Sequence, residues 1–450
     1  MGGPPRVDHT GREGPSGPSE ECAMVAVEKP QTEVVRETVH QQYESLPYPA
    51  RDPEQELEML RQPTVCELPR VNALLGGGHR VFDSTFRVLD AGCGTGDATV
   101  FLAHQLRGTG ARIVALDLSG ASLDIARRRL RARGLEDAVD FVQAPIEEAP
   151  SLGLGEFDFI SSSGVLHHLP SPEAGMRALR DMLKPDGAIA VMVYAKYGRE
   201  PVYLMQSLLR MLAPAEFGEE RRLRILRRAL QALPQENRGV RGLLDTPLFH
   251  SEIARSDAGA YDLLLHSQDR PYTVPEIYDW LDGAGLRLLD WGVPRAYRPE
   301  TYWPGSDLGH LDVAQRAAVA ELMHGRMAKH QFYAAHAEVS MPVQPQADER
   351  GAVPVWTAWG FDAQLGPALA GAGARLKFTM GEEREVTVNG DALNRRLLGD
   401  VDGQRTVGAI LDSARGAFPA QTADQIRRRW VELCDSMREI AALVLYAPAA

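Results

Sequence analysis

The chain has 450 residues, and globular domains hold about 100–200 residues, so the length predicts two or three domains. Hydrophobic residues make up 44% and charged residues 24%, proportions that exclude a wholly disordered protein. The formal net charge is −12 at pH 7, and this acidic field disfavours nucleic acid as a partner of the whole chain.

Apolar runs and cysteines bear on the compartment of the protein. No apolar run approaches the roughly 18–20 residues that cross a bilayer, so we expect no membrane association. The N-terminus also lacks the apolar core of a secretory signal. The four cysteines form no Cys-x-x-Cys pair, which disfavours a disulfide framework and a structural zinc site. These features together predict a cytoplasmic protein.

The first 84 residues divide into two predicted parts. Residues 1–30 are rich in glycine and proline and have little apolar surface to bury, so they predict a disordered tail. Residues 31–84 predict an N-terminal helical cap. Its first helix begins at Glu33 and ends near Pro47, because the residues before a proline favour an extended path.

Residues 85–198 alternate strand and helix patterns. The predicted strands are 86–90, 112–117, 139–142, 157–160 and 188–194, with a turn at Pro185-Asp186-Gly187 before the last one. The predicted helices are 97–106, 122–133 and 173–183. Strands that alternate with helices indicate parallel βαβ units. We therefore predict an α/β fold with a doubly wound, Rossmann-like, mostly parallel sheet.

The rest of the chain predicts two accessory regions and a linker. Residues 199–341 have mostly helical patterns and predict a helical accessory or lid region, including an amphipathic helix at 219–233 whose arginines form a solvated basic face. Residues 342–354 are rich in proline, glutamine and aspartate and predict a linker. Residues 355–450 predict a small compact domain, with a strand at 384–388 and helices at 391–397, 406–414 and 424–440.

The strongest motif is Val88-Leu89-Asp90-Ala91-Gly92-Cys93-Gly94-Thr95-Gly96-Asp97, in which a strand, a glycine loop and a helix follow one another. Its Gly-x-Gly-x-Gly spacing differs from the Gly-x-Gly-x-x-Gly of dinucleotide sites. Asp97 would also set a negative charge beside a pyrophosphate at the start of the helix. The carboxylate of Asp90, just before the loop, instead suits a ligand with a cationic amino group.

A second acid follows the next strand. Asp117 ends that strand, 21 residues after Gly96, where a carboxylate accepts hydrogen bonds from the two hydroxyls of a ribose. A glycine loop alone is a weak signal. The loop, Asp90, Asp117 and the five alternating strands together are a specific one.

Over roughly residues 85–195 the chain resembles the class I S-adenosylmethionine-dependent methyltransferases. The resemblance extends through Phe157–Leu169 and through the Leu183-Lys184-Pro185-Asp186-Gly187 run. It implies S-adenosyl-L-methionine as the cofactor, with Asp90 and the glycine loop holding its methionine part and Asp117 its ribose. The cofactor-binding residues that it implies are Asp90, Gly92, Cys93, Gly94, Gly96, Asp117, Leu118, Ala144, Pro145 and Ser161.

The adenine end of the implied site departs from the family. Leu118 would lie against the adenine ring. After the third strand the family often has Gly-Asp-Ala, whose aspartate contacts the adenine amine, whereas this chain has Gln143-Ala144-Pro145. Adenine recognition then depends on backbone groups or on Gln143.

Methyl transfer from a sulfonium is an in-line displacement that needs alignment, and it needs a base only if the acceptor carries a proton. The predicted acceptor-site residues are His167, Tyr194, His266 and Asp269. His167 either shapes the pocket by packing or acts as a general base, and His168 is expected to be structural. No metal site is predicted, because neighbouring helical histidines diverge by about 100° and the sequence offers no evident third ligand.

Two further segments leave alternatives open. His266 and Asp269 belong to a polar cluster between buried helices, which either joins the acceptor site or forms a hydrogen-bonded loop. The segment Tyr43-Glu44-Ser45-Leu46-Pro47-Tyr48-Pro49 either folds over the cofactor or is a proline-rich connector.

The order of the parts is similar to bacterial methyltransferases with a regulatory middle domain and a winged-helix-like tail, some of which modify protein lysines. Residues 388–394 and 398–407 fit such a small helix–strand module. Because only the order of parts and a few positions match, lysine specificity is not implied.

We therefore expect an enzyme, an S-adenosylmethionine-dependent methyltransferase whose acceptor is a protein side chain or a small molecule. One alternative is a nicotinamide-dependent oxidoreductase, against which the glycine spacing argues. Another is a non-catalytic S-adenosylmethionine-binding or peptide-binding module, against which the intact Asp90 and Asp117 argue. The sequence leaves the acceptor and the oligomeric state open.

Overall fold

The structure is a computed structural model. It describes residues 31–63, 65–340, 342–358, 369, 375–379 and 385–448. The predicted disordered tail, residues 1–30, lies outside this range. Of the helices in the described ranges, none has the length and apolarity that a membrane crossing requires.

A seven-stranded sheet forms the centre of the fold. Its strands are β1 (Arg87–Ala91), β2 (Arg112–Asp117), β3 (Val139–Gln143), β4 (Phe157–Ser163), β5 (Leu183–Tyr194), β6 (Leu286–Trp291) and β7 (Lys329–His336). They lie in the order β3-β2-β1-β4-β5-β7-β6. Strands β1 to β5 are parallel, and β7 is antiparallel to both of its neighbours. This confirms the predicted mostly parallel, doubly wound sheet.

Helices cover the sheet and extend from it. Those of the first 200 residues are α1 (Gln31–Ser45), α2 (Leu68–Gly76), α3 (Asp97–Gln105), α4 (Gly120–Ala132) and α5 (Pro172–Asp181). The next group is α6 (Glu200–Leu212), α7 (Glu219–Ala232), α8 (Arg238–Asp245), α9 (Pro247–Arg255), α10 (Asp257–Leu265), α11 (Val274–Gly283) and α12 (Val313–His324). Where a helix was predicted from the sequence, most of its boundaries lie within two or three residues of the predicted ones.

The hydrophobic core lies on both faces of the sheet. Neighbouring residues of a strand point to opposite faces, so Val88 and Phe159 enter one layer while Leu89 and Ile160 enter the other. All four are fully buried. Each such side chain contributes about 1.5–3 kcal/mol through burial, which fixes the strand ends that carry the polar residues.

Two predictions about the sheet are wrong in detail. Pro185-Asp186-Gly187 does not precede the fifth strand but lies within β5, as an irregularity in its pairing with β4 between Phe157 and Phe159. In addition, the central sheet has two more strands than the five predicted, because β6 and β7 lie within the mostly helical residues 199–341. Polar His330, bonded within the core to Tyr297 and Glu321, helps to hide the strand character of β7 in the sequence.

The last hundred residues have a core of their own. The described elements are β8 (Val353–Trp356), β9 (Arg375–Thr379), β10 (Glu385–Asn389), α13 (Ala392–Gly399), α14 (Val407–Ala417), α15 (Ala423–Glu439) and β11 (Leu443–Tyr446). β9 pairs with β10 and β8 with β11, both antiparallel. Trp430 is fully buried in this core, and its indole nitrogen donates to the Ala347 carbonyl (2.7 Å). The arrangement is compatible with a winged-helix-like domain, which stays a prediction.

Candidate functional site

A cavity of about 340 Å³ opens at the carboxyl ends of β1, β2, β4 and β5, where ligands bind in sheets of this type. Nine of the sequence-predicted site residues line it: Asp90, Gly92, Cys93, Gly94, Asp117, Leu118, Ala144, Pro145 and Tyr194. The cavity therefore joins most of the predicted cofactor residues to one predicted acceptor residue.

The glycine loop is shaped by close contacts. Gly92 has a φ of 77°, and a Cβ atom there would lie 2.5 Å from the side chain of Val165. Gly94 has a φ of 52°, and its Cβ atom would lie 2.6 Å from the carbonyl oxygen of Tyr48. Only glycine tolerates both the left-handed backbone and the lack of space. The chain around Tyr48 thus lies directly over the loop.

Asp90 is a buried carboxylate without a cationic partner among the described residues. It is 2% exposed, and its Oδ2 accepts a hydrogen bond from the Thr99 hydroxyl (2.5 Å). The pKa of Asp90 is raised to about 7, chiefly by burial and also by the nearby charge of Asp117, while the Thr99 hydrogen bond opposes the shift. A buried carboxylate of this kind suits a ligand ammonium group, which would supply the missing charge.

Asp117 is held by the backbone on both sides. Its Oδ2 accepts from the Gly94 amide and its Oδ1 from the Ser119 amide, both at 2.8 Å. These bonds lower the pKa of Asp117, but its burial raises the pKa more strongly. Each carboxylate oxygen keeps a further lone pair, so the group can still accept ribose hydroxyls.

The N-terminal part of the chain covers the loop, and we call residues 31–59 the N-terminal cover. The Thr95 hydroxyl donates to the Pro49 carbonyl (2.7 Å). Arg51 holds Asp97 with two hydrogen bonds of 2.9 and 2.6 Å. Glu56 is buried against Arg129, whose Nε lies 2.5 Å from Oε2. Asp97 is therefore neutralised by arginine rather than free beside the cavity.

Two predicted cofactor residues lie away from the cavity lining. Gly96 is the N-cap of α3, with a φ of 90°. Ser161 is fully buried, and its hydroxyl lies 3.6 Å from the Cys66 sulfur. Ser163, two residues along the same strand, lines the cavity instead, because β4 runs past the position expected from its predicted end.

The two neighbouring histidines lie in a short 3-10 helix, Leu166–His168, after β4. His167 is fully buried, is not part of the cavity lining, and packs against Tyr194 with ring centroids 3.9 Å apart and the rings tilted by 40°. His168, which was expected to be structural, does line the cavity. Its Nδ1 lies 2.6 Å from the Gln268 carbonyl oxygen.

The backbone carbonyl and amide of Gln268 determine which ring nitrogen carries the proton in His168 and in His266. A carbonyl oxygen only accepts, so Nδ1 of His168 carries the ring proton and Nε2 is bare. The Gln268 amide donates to Nδ1 of His266 (3.1 Å), so in His266 the proton is on Nε2. Burial lowers the pKa of both histidines, which keeps them neutral. Their rings stack with centroids 3.8 Å apart.

His266 begins a chain of hydrogen bonds that includes two residues of the cavity lining, Tyr43 and Tyr194. Its Nε2 donates to the Tyr43 hydroxyl (3.1 Å), and this hydroxyl donates to Asp262 Oδ1 (2.9 Å). Asp262 Oδ2 accepts from the Tyr194 hydroxyl (3.5 Å). Burial raises the pKa of Asp262 to about 7, and the charge of Glu252 adds to the shift. His266 thus acts on the cavity through neighbours.

Asp269 also lies behind the wall rather than in it. Its Oδ2 accepts from Nε2 of Gln206 (3.1 Å) and lies 3.7 Å from the guanidinium of Arg199. Arg199 is almost fully buried, lines the cavity and covers the ring of Tyr194 at 3.4 Å. The charge of Asp269 favours the protonated form of His168, opposing the effect of burial on its pKa.

Two groups of described side chains bring possible metal-ligating atoms within 4.8 Å of one another: His167, His168 and Asp269, and His168, Asp262 and His266. The third ligand that the sequence lacked is therefore present in space. In the second group, however, Nε2 of His266 carries a proton and is bonded to Tyr43. In the first, the Arg199 cation lies beside Asp269. The expected absence of a metal site stays a prediction.

Sequence reasoning missed several residues of the cavity. Tyr43 and Tyr48 come from the N-terminal cover, Arg199 from the turn before α6, and Glu252 from α9. Burial raises the pKa values of Tyr48 and Glu252. The Tyr43–Pro49 motif was the available signal for the first two. Nothing in the sequence connects the other two with the glycine loop, because they come from the helical region.

Known proteins match this chain either over about 100 residues or over more than half of its length. Residues 88–187 match the family described as a methyltransferase domain. An uncharacterized protein of Synechococcus sp. is 32% identical over 253 residues, which are 55% of this chain and 59% of that protein. The ubiquinone biosynthesis O-methyltransferase of Nitrosococcus oceani is 35% identical over 103 residues, 23% of this chain and 41% of that enzyme. The chain thus spans about two fifths to three fifths of these relatives.

Solved structures extend the comparison of the fold. Two structures of PKMT2 from Rickettsia typhi, one in complex with AdoHcy, have a TM-score of 0.57 with this chain. They are 12% and 13% identical to it and cover 85% of this chain and 75% of their own. At this identity the likeness concerns the fold alone. Residues 88–187 match this family and contribute parallel strands to the central sheet. They therefore form a class I methyltransferase domain, the kind whose methyl donor is S-adenosylmethionine.

Proposed function

We propose that the chain transfers a methyl group from S-adenosylmethionine to an acceptor atom that carries a proton, a hydroxyl or an amine of a small molecule or a protein side chain. One observation carries the proposal. The same cavity is lined by the carboxylates of Asp90 and Asp117 and by His168, a neutral histidine whose bare nitrogen is fixed by Gln268.

The cofactor half of the cavity, which contains Asp90, Asp117 and Leu118, fits S-adenosylmethionine. Asp90 supplies a buried carboxylate for an ammonium group, and Asp117 has lone pairs left for ribose hydroxyls. Leu118 provides an apolar wall beside them. Bound S-adenosylmethionine supplies an activated methyl group that is displaced from its sulfonium. The residues of this half bind and orient, so they govern affinity and alignment.

The acceptor half holds a proton acceptor. Nε2 of His168 is the basic atom, because the bond from Nδ1 to Gln268 keeps the other nitrogen protonated. When His168 takes the acceptor's proton, the nearby Asp269 carboxylate stabilises the imidazolium that forms. Tyr194, whose hydroxyl is held by Asp262, lines the same cavity. We assign the base to His168 rather than to the enclosed His167.

The nicotinamide alternative meets an obstacle at the start of α3. In dinucleotide sites this helix terminus faces a pyrophosphate. Here the N-terminal cover lies over it, with the Tyr48 carbonyl against Gly94 and Arg51 paired with Asp97. The name of the Nitrosococcus oceani relative supports an oxygen acceptor, but the match is confined to 103 residues. The choice between hydroxyl and amine is therefore left to experiment.

The test uses S-adenosylmethionine with a tritiated methyl group and cell lysate separated into protein, nucleic-acid and small-molecule fractions. We expect the chain to label the protein or the small-molecule fraction. His168→Asn keeps a donor for the Gln268 carbonyl and should bind S-adenosylhomocysteine normally, yet lower label transfer about 100-fold.

His310→Asn, at an exposed position, is the matched control and should transfer label like the unchanged protein. Equal transfer by the His168 variant would remove its role as a base. If the unchanged protein binds neither S-adenosylmethionine nor S-adenosylhomocysteine, the proposed function itself is wrong.

A further inference from the structure

The last turn of α1 contacts both halves of the cavity. On the cofactor side, the main-chain carbonyl of Tyr43 accepts from the Ser119 hydroxyl (3.1 Å). The carboxylate of Glu44 accepts from the amides of Gly120 and Ala121 (2.5 and 3.3 Å), at the start of α4. A carboxylate at a helix N-terminus is stabilised by the free amides and the helix dipole. This turn is therefore docked two residues beyond the ribose-site acid, Asp117.

On the acceptor side, the same Tyr43 lines the cavity and joins a chain of hydrogen bonds through its side chain. Its hydroxyl accepts from Nε2 of His266 (3.1 Å) and donates to Asp262 Oδ1 (2.9 Å). Burial and the charge of Asp262 raise the pKa of Tyr43, so the hydroxyl keeps its proton and remains a donor. Asp262 in turn holds Tyr194, and His266 stacks on His168.

We propose that Tyr43 is a positioning residue for the acceptor half, through which seating of the N-terminal cover on the cofactor half orients Asp262 and His266. This inference rests on the proposed function. Without the Tyr43 hydroxyl, Asp262 Oδ1 and Nε2 of His266 lose their shared partner. Removing one partner of a buried hydrogen-bonded pair leaves an unsatisfied polar group, so these side chains would shift or recruit water.

The coupling between the two halves runs from cofactor binding to the acceptor half, because a ligand stabilises the state to which it binds better. A ligand that binds Asp117 orders the residues just after it, including Ser119 and Gly120, to which the N-terminal cover is bonded. Cofactor binding thus favours the seated cover, and the seated cover completes the acceptor half. We infer that the acceptor site becomes competent only with cofactor in place.

Tyr43→Phe tests this role because it removes one oxygen and keeps the ring. We expect its dissociation constant for S-adenosylhomocysteine to stay within about twofold, since the docking bonds at Ser119 and Gly120 come from the main chain and Glu44. Label transfer from tritiated S-adenosylmethionine, into whichever fraction the unchanged protein labels, should fall about tenfold in kcat with little change in KM. Tyr278→Phe, on α11 away from the cavity, is the matched control.

A pH profile separates positioning from a loss of packing. The Tyr43 hydrogen bond lowers the pKa of Asp262, so its removal should raise that pKa and move the acid limb of kcat to higher pH. An unchanged profile and unchanged kcat would overturn the proposal. The outcome for Tyr278→Phe should match the unchanged protein in both measurements.

A second measurement needs no acceptor. Hydrogen exchange of the segments around Tyr43 and around His266 is followed with and without S-adenosylhomocysteine. We expect the ligand to slow exchange at both segments in the unchanged protein but only at the first in Tyr43→Phe. If the second segment responds equally in both proteins, Tyr43 does not couple the halves. A protein that binds the ligand and shows this coupling, yet labels no fraction, refutes the proposed function alone.

Discussion

The affinity for S-adenosylmethionine should fall when the pH is lowered through 7, because Asp90 must be ionised to hold an ammonium group. Asp90 is 2% exposed, with no cation beside it among the described residues. Burial raises its pKa to about 7, with the charge of Asp117 adding to the shift. The free protein therefore holds a mixture of ionised and neutral Asp90 near neutral pH.

The size of the effect follows from the ionised fraction. That fraction falls from about one half at pH 7 to about one tenth at pH 6, so the apparent Kd should rise about fivefold, or about 1 kcal/mol. An α-amino group has a pKa of about 7.7–8.0 and stays protonated throughout this range. The same Asp90 shift has a second consequence. Because the unfolded chain loses this proton at lower pH, stability falls as the pH rises towards 7.

Calorimetric titration of S-adenosylmethionine between about pH 6 and pH 7 measures the effect. Asp90→Asn should bind weakly at every pH, since the amide keeps a contact with the Thr99 hydroxyl but carries no charge. Above pH 7 and without ligand, the Asp90→Asn variant should unfold at a higher temperature than the unchanged protein. Asp140→Asn, an exposed strand residue, serves as control. If the unchanged protein binds equally well at both ends of the range, Asp90 does not hold the ammonium group.

Two further predictions concern other carboxylates, Asp117 in the cavity and Glu56 in the N-terminal cover. Asp117→Asn should weaken S-adenosylhomocysteine binding about tenfold or more in calorimetry, because its amide nitrogen would face a backbone donor such as that of Gly94. An unchanged Kd would contradict this. Glu56→Gln should lower the free energy of unfolding in urea by about 3–5 kcal/mol, since it leaves the buried charge of Arg129 with less compensation. A loss below about 1 kcal/mol would show that the pair is structurally dispensable.

The cofactor half could be predicted from the sequence because its geometry is local. Asp90, the glycine loop and α3 follow one another without a break, and Asp117 lies one strand later on the neighbouring strand. Adjacent parallel strands bring their carboxyl ends to one edge, so the order of elements alone sets these groups together. Ser161 lies outside the cavity lining because β4 ends three residues beyond its predicted position.

The rest of the sheet could not be predicted in the same way. β6 lies at the edge of the sheet, and β7 lies between β5 and β6 and is antiparallel to both. Both strands follow a long helical region, and no glycine loop or strand-end acid marks them. β7 also carries Lys329, His330 and Gln331, which disguise a largely buried strand. His330 is accommodated only because Glu321 and Tyr297 supply partners from elsewhere in the chain.

The acceptor half shows most clearly why residue types alone were insufficient. His167 and His168 are neighbours with the same side chain, and their roles are separated by the backbone of Gln268, a hundred residues later. The Gln268 carbonyl accepts a hydrogen bond from His168 and the Gln268 amide donates one to His266, so the two neutral rings are opposite tautomers. No pattern of side chains encodes such a contact. It arises because α10 ends beside the turn after β4, so the fold rather than the motif determines which histidine has a basic nitrogen for the cavity.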